Sequence, residues 1–513
     1  MCQELNLPNI SNKRVILAQY LLVFACAGLL YVLTCAPTIL WHDSGGAVYR
    51  ISHNNIEGNG GLAASHPLFF ILGISVKYLP FGDLAYKINL ISAVFGAITI
   101  ANLFLLLRLW LDKFLPAIIG AFSLAFSWTF WQHSVVAEVY SIYTALLMCE
   151  LVLLLQYIRT KKVFYLYTLG LVNGFAIAEH MWAIFGLSCY GLFLIYLLIK
   201  KQIKLKHISV FVLLWIIGAS SYLYLIIKNI IFSGDITATL SSVFFGDMWK
   251  AQVLNASVSK KIILENMIFL ILNFPTPNFL LFFVGVYCLY KYSPTKSFAN
   301  ILLFLAILFY VFAFRYTVAD RHVFFLPFYC MVAVIVGLGA NVFIRRNKSG
   351  LLIPLMVFFT LLPISVYCIA PAVARKTYKS IGQRRQLPYR NDYKYFLQPW
   401  KNGYRGAERY ANEAFEIAAP NSIIYVDHTA VHPLLYMQQV KGRRSDLKIV
   451  SKFDSSIDAP EFKRETISEL IENFTVYVVS PISGYCPGFL IDNYDFTREG
   501  ILWRVNQHKC KVQ

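Results

Sequence analysis

The stretch LAYKINLISAVFGAITIANLFLLL, residues 84–107, decides the fold class. Its only charged residue is Lys87, and it is long enough to carry a helix across a hydrocarbon core, which takes about 20 residues. Similar apolar runs occupy 15–36, 115–131, 138–158, 163–180, 182–199, 208–228, 262–290, 298–314, 323–343 and 350–370. Composition agrees: 58% of the 513 residues are apolar and only 14% are charged, whereas a soluble domain carries about a quarter. From 371 onward the chain reads as soluble protein. The expectation is a polytopic α-helical membrane body of about eleven spans, residues 1–370, followed by a small α/β domain, 371–513.

The first run follows Lys13 and Arg14. A signal peptide would have a shorter apolar core ahead of a small-residue cleavage site, so this run is read as a retained first helix. The connections at one end of the spans carry Arg108 and Lys113, then Arg159, Lys161 and Lys162. They continue with Lys200, Lys201, Lys204 and Lys206, then Lys291 and Lys296, then Arg345, Arg346 and Lys348. Short basic loops stay in the cytoplasm. Loops 37–83, 132–137, 180–182, 229–261 and 315–322 therefore face outward, and an odd number of spans puts the C-terminal domain on that side too. The net charge of +19 comes partly from the inner loops. The basic start of the C-terminal domain, from Arg375 to Arg390, suits anionic headgroups, and nothing points to nucleic acid. The eighth run is interrupted at Asn273-Phe274-Pro275-Thr276-Pro277, which predicts a broken or re-entrant helix lining an enclosed cavity. Most cysteines lie in apolar runs as buried thiols; Cys486 and Cys510 would pair in an oxidising compartment.

The outer loops hold the chemistry-bearing residues. The first contains Trp41-His42-Asp43-Ser44-Gly45-Gly46, then Arg50, Glu57 and Ser65-His66-Pro67, with two short helices expected along the membrane surface. Asp43 fits equally a cap for the segment Ala47–Ser52 and a catalytic carboxylate. Glu138 lies where a helix begins, a place the helix dipole favours for an acid. Glu179, His180 and Trp182 come from the third loop; Arg315, Asp320, Arg321 and His322 come from the last. Acids, histidines and arginines gathered on one side of a membrane point to one functional site.

These segments resemble a family. The ordered set of Pro37, Asp43-Ser44-Gly45, His66-Pro67, Asn89-Leu90-Ile91-Ser92-Ala93 and Trp128…Trp131…Ala137-Glu138-Val139-Tyr140 is similar to the GT-C membrane glycosyltransferases. Within these it is closest in pattern to the protein O-mannosyltransferase-like branch. Asp320 to Pro327, the Gly337/Gly339 pair, Asn421 to Tyr425, Pro433 to Tyr436 and Arg443 to Leu447 extend the likeness through most of the chain. The resemblance implies transfer of a sugar, mannose by family, from a polyprenyl-phosphate donor to a protein or glycan acceptor outside the cytoplasm. The membrane would be a bacterial inner membrane or that of the endoplasmic reticulum. It carries the role of acceptor base onto Asp43. Where the family pattern reads Asp-Ser-Gly-Glu this chain has Gly46, and His-Pro-Pro-Gly is reduced to His66-Pro67-Leu68-Phe69; either Glu57 or Glu138 supplies the missing acid, or activity is altered or absent.

Glu138 joins Asp43 as a catalytic candidate. Arg50, Arg315 and Arg321 are candidates for the donor phosphate, and His66, His180 and Asp320 for phosphate or sugar. No tight ligand spacing demands a metal, and no cofactor is expected. In the C-terminal domain, Ser422-Ile423-Ile424-Tyr425-Val426 and Phe474-Thr475-Val476-Tyr477-Val478-Val479 read as buried strands. Asp427, His428 and His432 follow the first strand and suit a structural or acceptor-docking role. A non-catalytic glycolipid-binding protein and a lipid or solute transporter are the rival readings.

Overall fold

The computed structural model describes residues 13–318, 320–346, 350–377, 387–451, 463–464 and 466–508. Five helices are long and apolar enough to cross a membrane: Lys13–Thr34, Leu84–Leu111, Tyr140–Thr160, Lys296–Arg315 and Arg321–Arg345. Three bent pairs raise the number to eight. They are Leu205–Gly218 with Ser220–Ser233 (72°), Lys260–Asn273 with Pro277–Tyr292 (108°), and Leu352–Leu361 with Pro363–Thr377 (44°). The sharpest bend falls at the expected Pro275/Pro277 break. The bend near Ala219 was not legible in advance, because no proline marks it. The remaining expected spans are the helices Phe114–Ala125, Phe164–Glu179 and Ala183–Ile199, of 12, 16 and 17 residues. These fall short of the roughly 20 that a straight crossing needs. The helix Pro363–Thr377 that ends the membrane body runs on through Pro371, past residue 370 and into the segment read as the start of the C-terminal domain. Cys510 lies outside the described residues.

The first helix shows what solvent it is built for. Leu17, Leu21, Leu22, Leu29 and Leu33 are all exposed, as a lipid-facing surface requires, while Val23, Ala27 and Tyr31 face the other helices. Without a hydrophobic drive between helices in lipid, close backbone approach must supply the packing. Gly339 does this: a Cβ there would collide with the backbone oxygen of Leu281 on the neighbouring helix. The deep acid Glu150 accepts hydrogen bonds from Asn173 Nδ2 and Tyr190 OH, both at 3.0 Å, so it pins three helices together.

The C-terminal domain carries a five-stranded sheet in the order β2-β1-β3-β5-β4. Its strands are β1 (Ile423–Tyr425), β2 (Lys448–Val450), β3 (Val476–Val478), β4 (Tyr494–Glu499) and β5 (Leu502–His508). β1 pairs in parallel with β2 and β3; β5 pairs antiparallel with β3 and β4. β1 and β3 fall within the two runs read as strands. The helix Gly406–Ile417 lays Ala407, Tyr410, Ala411, Ala414 and Phe415 in one buried stripe at helical spacing.

That stripe does not close a private core. Trp41, Val48 and Ile51 of the first outer loop belong to the same apolar cluster as Tyr410, Ile424 and Val426. Trp41 packs edge-on to Tyr410 at 5.5 Å and donates its indole N–H to Tyr404 at 2.5 Å. Asp83 adds a polar clasp. It caps the helix Leu84–Leu111 by accepting from Ala85 N–H at 2.8 Å, and it also accepts from Tyr436 OH at 2.6 Å and from Lys441. The domain and the first outer loop are thus docked face to face, on the same side as the other outer loops.

Burial alone would raise the Asp83 carboxyl, but the bonds from Lys441, Tyr436 and Ala85 outweigh it and hold it below the usual carboxylate range. A group depressed on folding stabilises above its unfolded pKa, about 4 for Asp, and the contribution fades as pH falls further. Asp83→Ala removes a cap worth about 1 kcal/mol together with the two cross-domain bonds. Thermal unfolding should show a loss of about 1–3 kcal/mol that shrinks as wild type is taken below about pH 4. Limited proteolysis should cut segment 387–508 faster.

Candidate active site

Between the helical body and the docked domain lies a cavity of about 1860 Å³. All five outer loops line it, four with polar side chains and the loop 229–261 with apolar ones. Asp43, Glu138, Arg50, His66, His180, Arg315 and Asp320 line it, seven of the eight residues marked from the sequence. Arg321 is the exception. Its Nη2 donates to Ile262 O at 3.0 Å and to Asn266, and its Nε lies 3.5 Å from Glu265, so it ties the last outer loop to the broken eighth element. Glu57 is also elsewhere, paired with Lys228 at 2.7 Å and Asn229 at 2.5 Å. Of the two acids considered as replacements at position 46, only Glu138 faces the cavity.

Asp43 is not a helix cap. The helix starts at His42, with Trp41 at the cap position, and Asp43 sits in its first turn. The carboxylate is 68% exposed, and what it is exposed to is the cavity, which it lines. Its Oδ1 lies 3.1 Å from Nε2 of His428, a residue of the C-terminal domain. Burial within the surrounding protein would raise the Asp43 carboxyl. The His428 hydrogen bond and the charges of His428, His42 and His432 outweigh that and hold it below the ordinary value. It stays ionised at neutral pH.

The other two acids go the opposite way. The helix expected to begin at Glu138 begins at Tyr140, which leaves Glu138 in the connecting turn outside the span. There its backbone N–H donates to Ser92 Oγ at 3.2 Å, and Ser92 Oγ donates back to Glu138 O at 3.1 Å. Burial, then repulsion by Asp43 and Asp320, push its carboxyl well above the usual range. Asp320 is pushed up to about 6 by burial and by Asp43. Three carboxyls in one cavity repel one another, and the histidines beside Asp43 make it the most readily ionised of the three.

The histidine tautomers follow from their partners. His66 must donate from Nδ1, which faces Glu179 O at 2.6 Å, and burial pushes its pKa down to about 4. Its Nε2 is therefore an acceptor, not the phosphate donor expected from the sequence. His180 accepts at Nδ1 from Trp182 N–H at 3.2 Å, which leaves Nε2–H as a donor. The two rings lie 5.0 Å apart, and His180 stacks on Trp182 at 3.8 Å. Arg50 lies over the Phe70 ring at 3.5 Å and donates to Ser65 O at 3.0 Å. Arg315 Nη1 holds Asn255 O at 2.8 Å and also donates to Val253 O.

Several cavity residues had no readable sequence signal. Arg390 fell in a basic run assigned to the membrane surface; its side chain is instead buried, 2.6 Å from Asp392 and 3.2 Å from His42 Nε2. Lys401 donates to Gln398 O at 2.5 Å, and burial pushes it down to about 7. His133 is buried with both ring nitrogens lacking a hydrogen-bond partner. Residues 428 and 432 were legible as lying past a strand end, but not as reaching across to Asp43. Among the described residues, no group of three or more His, Cys, Asp or Glu is arranged to hold a metal ion.

Residues 63–205 match the family model for the N-terminal domain of protein O-mannosyl-transferase TMEM260. The mouse protein O-mannosyl-transferase TMEM260 is 25% identical over 213 residues, spanning 40% of this chain and 30% of that protein. Among solved structures, ArnT from Cupriavidus metallidurans bound to undecaprenyl phosphate superposes with a TM-score of 0.59 at 12% identity. That match covers 96% of this chain and 97% of ArnT. The oligosaccharyltransferase AglB from Archaeoglobus fulgidus gives 0.49 at 12% identity, covering 98% and 75%. The chain therefore has the GT-C fold of integral-membrane glycosyltransferases with a small C-terminal sheet, and within that fold it resembles the protein O-mannosyltransferase-like branch.

Proposed function

We propose that this chain transfers a sugar from a polyprenyl-phosphate donor to a hydroxyl acceptor on the non-cytoplasmic side of the membrane, with Asp43 as general base and inversion at the anomeric carbon. The observation that carries the reading is the Asp43 carboxylate itself, which lines one large cavity and lies 3.1 Å from His428 Nε2, a partner that favours its ionised form beside two carboxyls whose ionisation burial opposes. A general base must be deprotonated and within reach of the proton it takes. Oδ1 is engaged by His428, which leaves Oδ2 for the acceptor.

The cavity's apolar flank supports a lipid-linked donor. Ile268 and Val373, on the helices Lys260–Asn273 and Pro363–Thr377, line it and are exposed, at 40% and 57%. A polyprenyl chain would remain in the bilayer beside them and present its phosphosugar to the cavity's polar side chains. Asp43 takes the acceptor proton, the acceptor oxygen bonds to the anomeric carbon, and the bond from that carbon to the phosphate oxygen breaks. The departing polyprenyl phosphate leaves with its negative charge. Arg50, Arg315 and Lys401 supply positive charge for that phosphate, and an arriving anion would restore the proton that burial takes from Lys401. His180 Nε2–H donates to phosphate or sugar, whereas His66 Nε2 accepts from a sugar hydroxyl. Glu138, protonated, acts as a hydrogen-bond donor, whereas Asp320, with its pKa of about 6, is mainly an acceptor at neutral pH.

The test is donor turnover by the purified protein in lipid nanodiscs, with a panel of polyprenyl-phosphate sugars and acceptor-containing membrane extract. Asp43→Asn should keep the unfolding temperature and lose turnover by ~10²-fold or more. A wild type that turns over no donor would overturn the reading. Carbodiimide, which labels protonated carboxyls, tests the proton assignment. Glu138 should label at neutral pH, and Asp320 should label with a midpoint of about 6. In Asp43→Asn the Asp320 midpoint should fall, because the repelling charge is gone.

A further inference from the structure

We propose that His428, delivered by the C-terminal domain, is the positioning residue for the Asp43 base, so that the membrane body's catalytic carboxylate is complete only with that domain docked. The inference deepens the transferase reading and rests on it.

The turn that presents His428 is rigidly built. β1 ends at Tyr425, and Val426 N–H continues the ladder to Val450 O at 2.9 Å. Asp427 is fully buried; it accepts Thr429 N–H on its side chain at 3.0 Å and Ala430 N–H on its backbone oxygen at 3.2 Å. This fixes the backbone on both sides of residue 428 and turns its ring outward, at the carboxyl end of a parallel strand, where α/β folds place their sites.

The opposing surface is shaped to receive it. His42 N–H donates to Thr429 O at 3.3 Å, across the two parts of the chain. At Gly45 a Cβ would come within 2.5 Å of Leu40 O and 3.2 Å of His432 Cβ; at Gly46 it would lie 3.1 Å from the His432 ring. The two glycines therefore let the short helix Val431–Leu435 settle against the first turn of His42–Ser52. That approach brings His428 Nε2 to 3.1 Å from Asp43 Oδ1.

The bond does two things for a base. With Asp43 ionised, Nε2 must carry the proton, so the imidazole donates and fixes the carboxylate's rotation with Oδ2 free. Donation also stabilises the charged form in a space where burial disfavours it. The other ionisable groups that interact with Asp43 include His42, His432, His133, Tyr140 and Tyr395, with Arg390 behind His42 at 3.2 Å.

The experiment is steady-state kinetics of the full chain in nanodiscs, over pH, for wild type, His428→Ala and His428→Gln, with unfolding temperature and elution volume checking the fold. His428→Ala should lower kcat by ~10- to 100-fold with donor KM unchanged, since misplacing a base by about 1 Å has that cost. Its acid limb should move to higher pH, because Asp43 loses the bond that keeps it ionised. His428→Gln, whose amide N–H reaches the same place, should restore most of kcat. If the alanine variant does not fold, His428→Asn, too short to reach Asp43, takes its place with the same expected loss. Turnover that depends on Asp43 but is equal in wild type and His428→Ala, with the same acid limb, would overturn this inference and leave the transferase reading standing. Absence of any turnover dependent on Asp43 would overturn both.

Discussion

One carboxylate must stay charged inside a cavity walled by protein. Water ordinarily stabilises such a charge, and its partial removal pushes every acid toward its neutral form. In this chain Asp43, Glu138 and Asp320 share the same enclosed space, so their repulsion adds to the cost of burial. Asp43 escapes because His428 hydrogen-bonds it while His42 and His432 add favourable charge. Two of those three histidines come from the far end of the chain. The docking of the C-terminal domain is thus a condition for the charge state of the site, and the shared apolar core around Trp41 and the Asp83 clasp serve that condition.

The membrane body was legible because lipid leaves a chain few choices. Long apolar runs must be helices, since each backbone group has to be satisfied within its own segment, and basic loops mark one end of them. The broken element at Pro275 and Pro277 was readable for the same reason, because proline removes a donor wherever it stands. The bend near Ala219 was not, as its cause lies in packing. Helix starts were also uncertain by a few residues, enough to mistake Asp43 for a cap and to set Glu138 inside a span.

In the site, what was legible was local. Acids, histidines and arginines on outer loops could be gathered from the sequence because topology brings those loops together. Arg321 breaks the rule: it shares the loop of Asp320 but turns to Glu265 and Asn266, and only the packing of the eighth element decides that. Arg390 and Lys401 fail in the other sense. Arg390 was read as a surface cation and Lys401 carried no signal, yet both are buried at the cavity because the chain after the last span folds back over it.

Gly46 shows how a local departure from a pattern can be a change of occupant. Read along the chain, the missing acid at this position looks like a loss of function. In three dimensions the space beside its Cα is filled by the His432 ring, 3.1 Å from where a Cβ would stand. An acid there would set another negative charge beside Asp43 and raise its carboxyl, adding to the effect of burial. His432 acts in the opposite direction and helps hold Asp43 ionised. Residues 46 and 432 therefore compete for one volume, and filling it from the C-terminal domain both helps keep Asp43 charged and makes that domain part of the cavity wall.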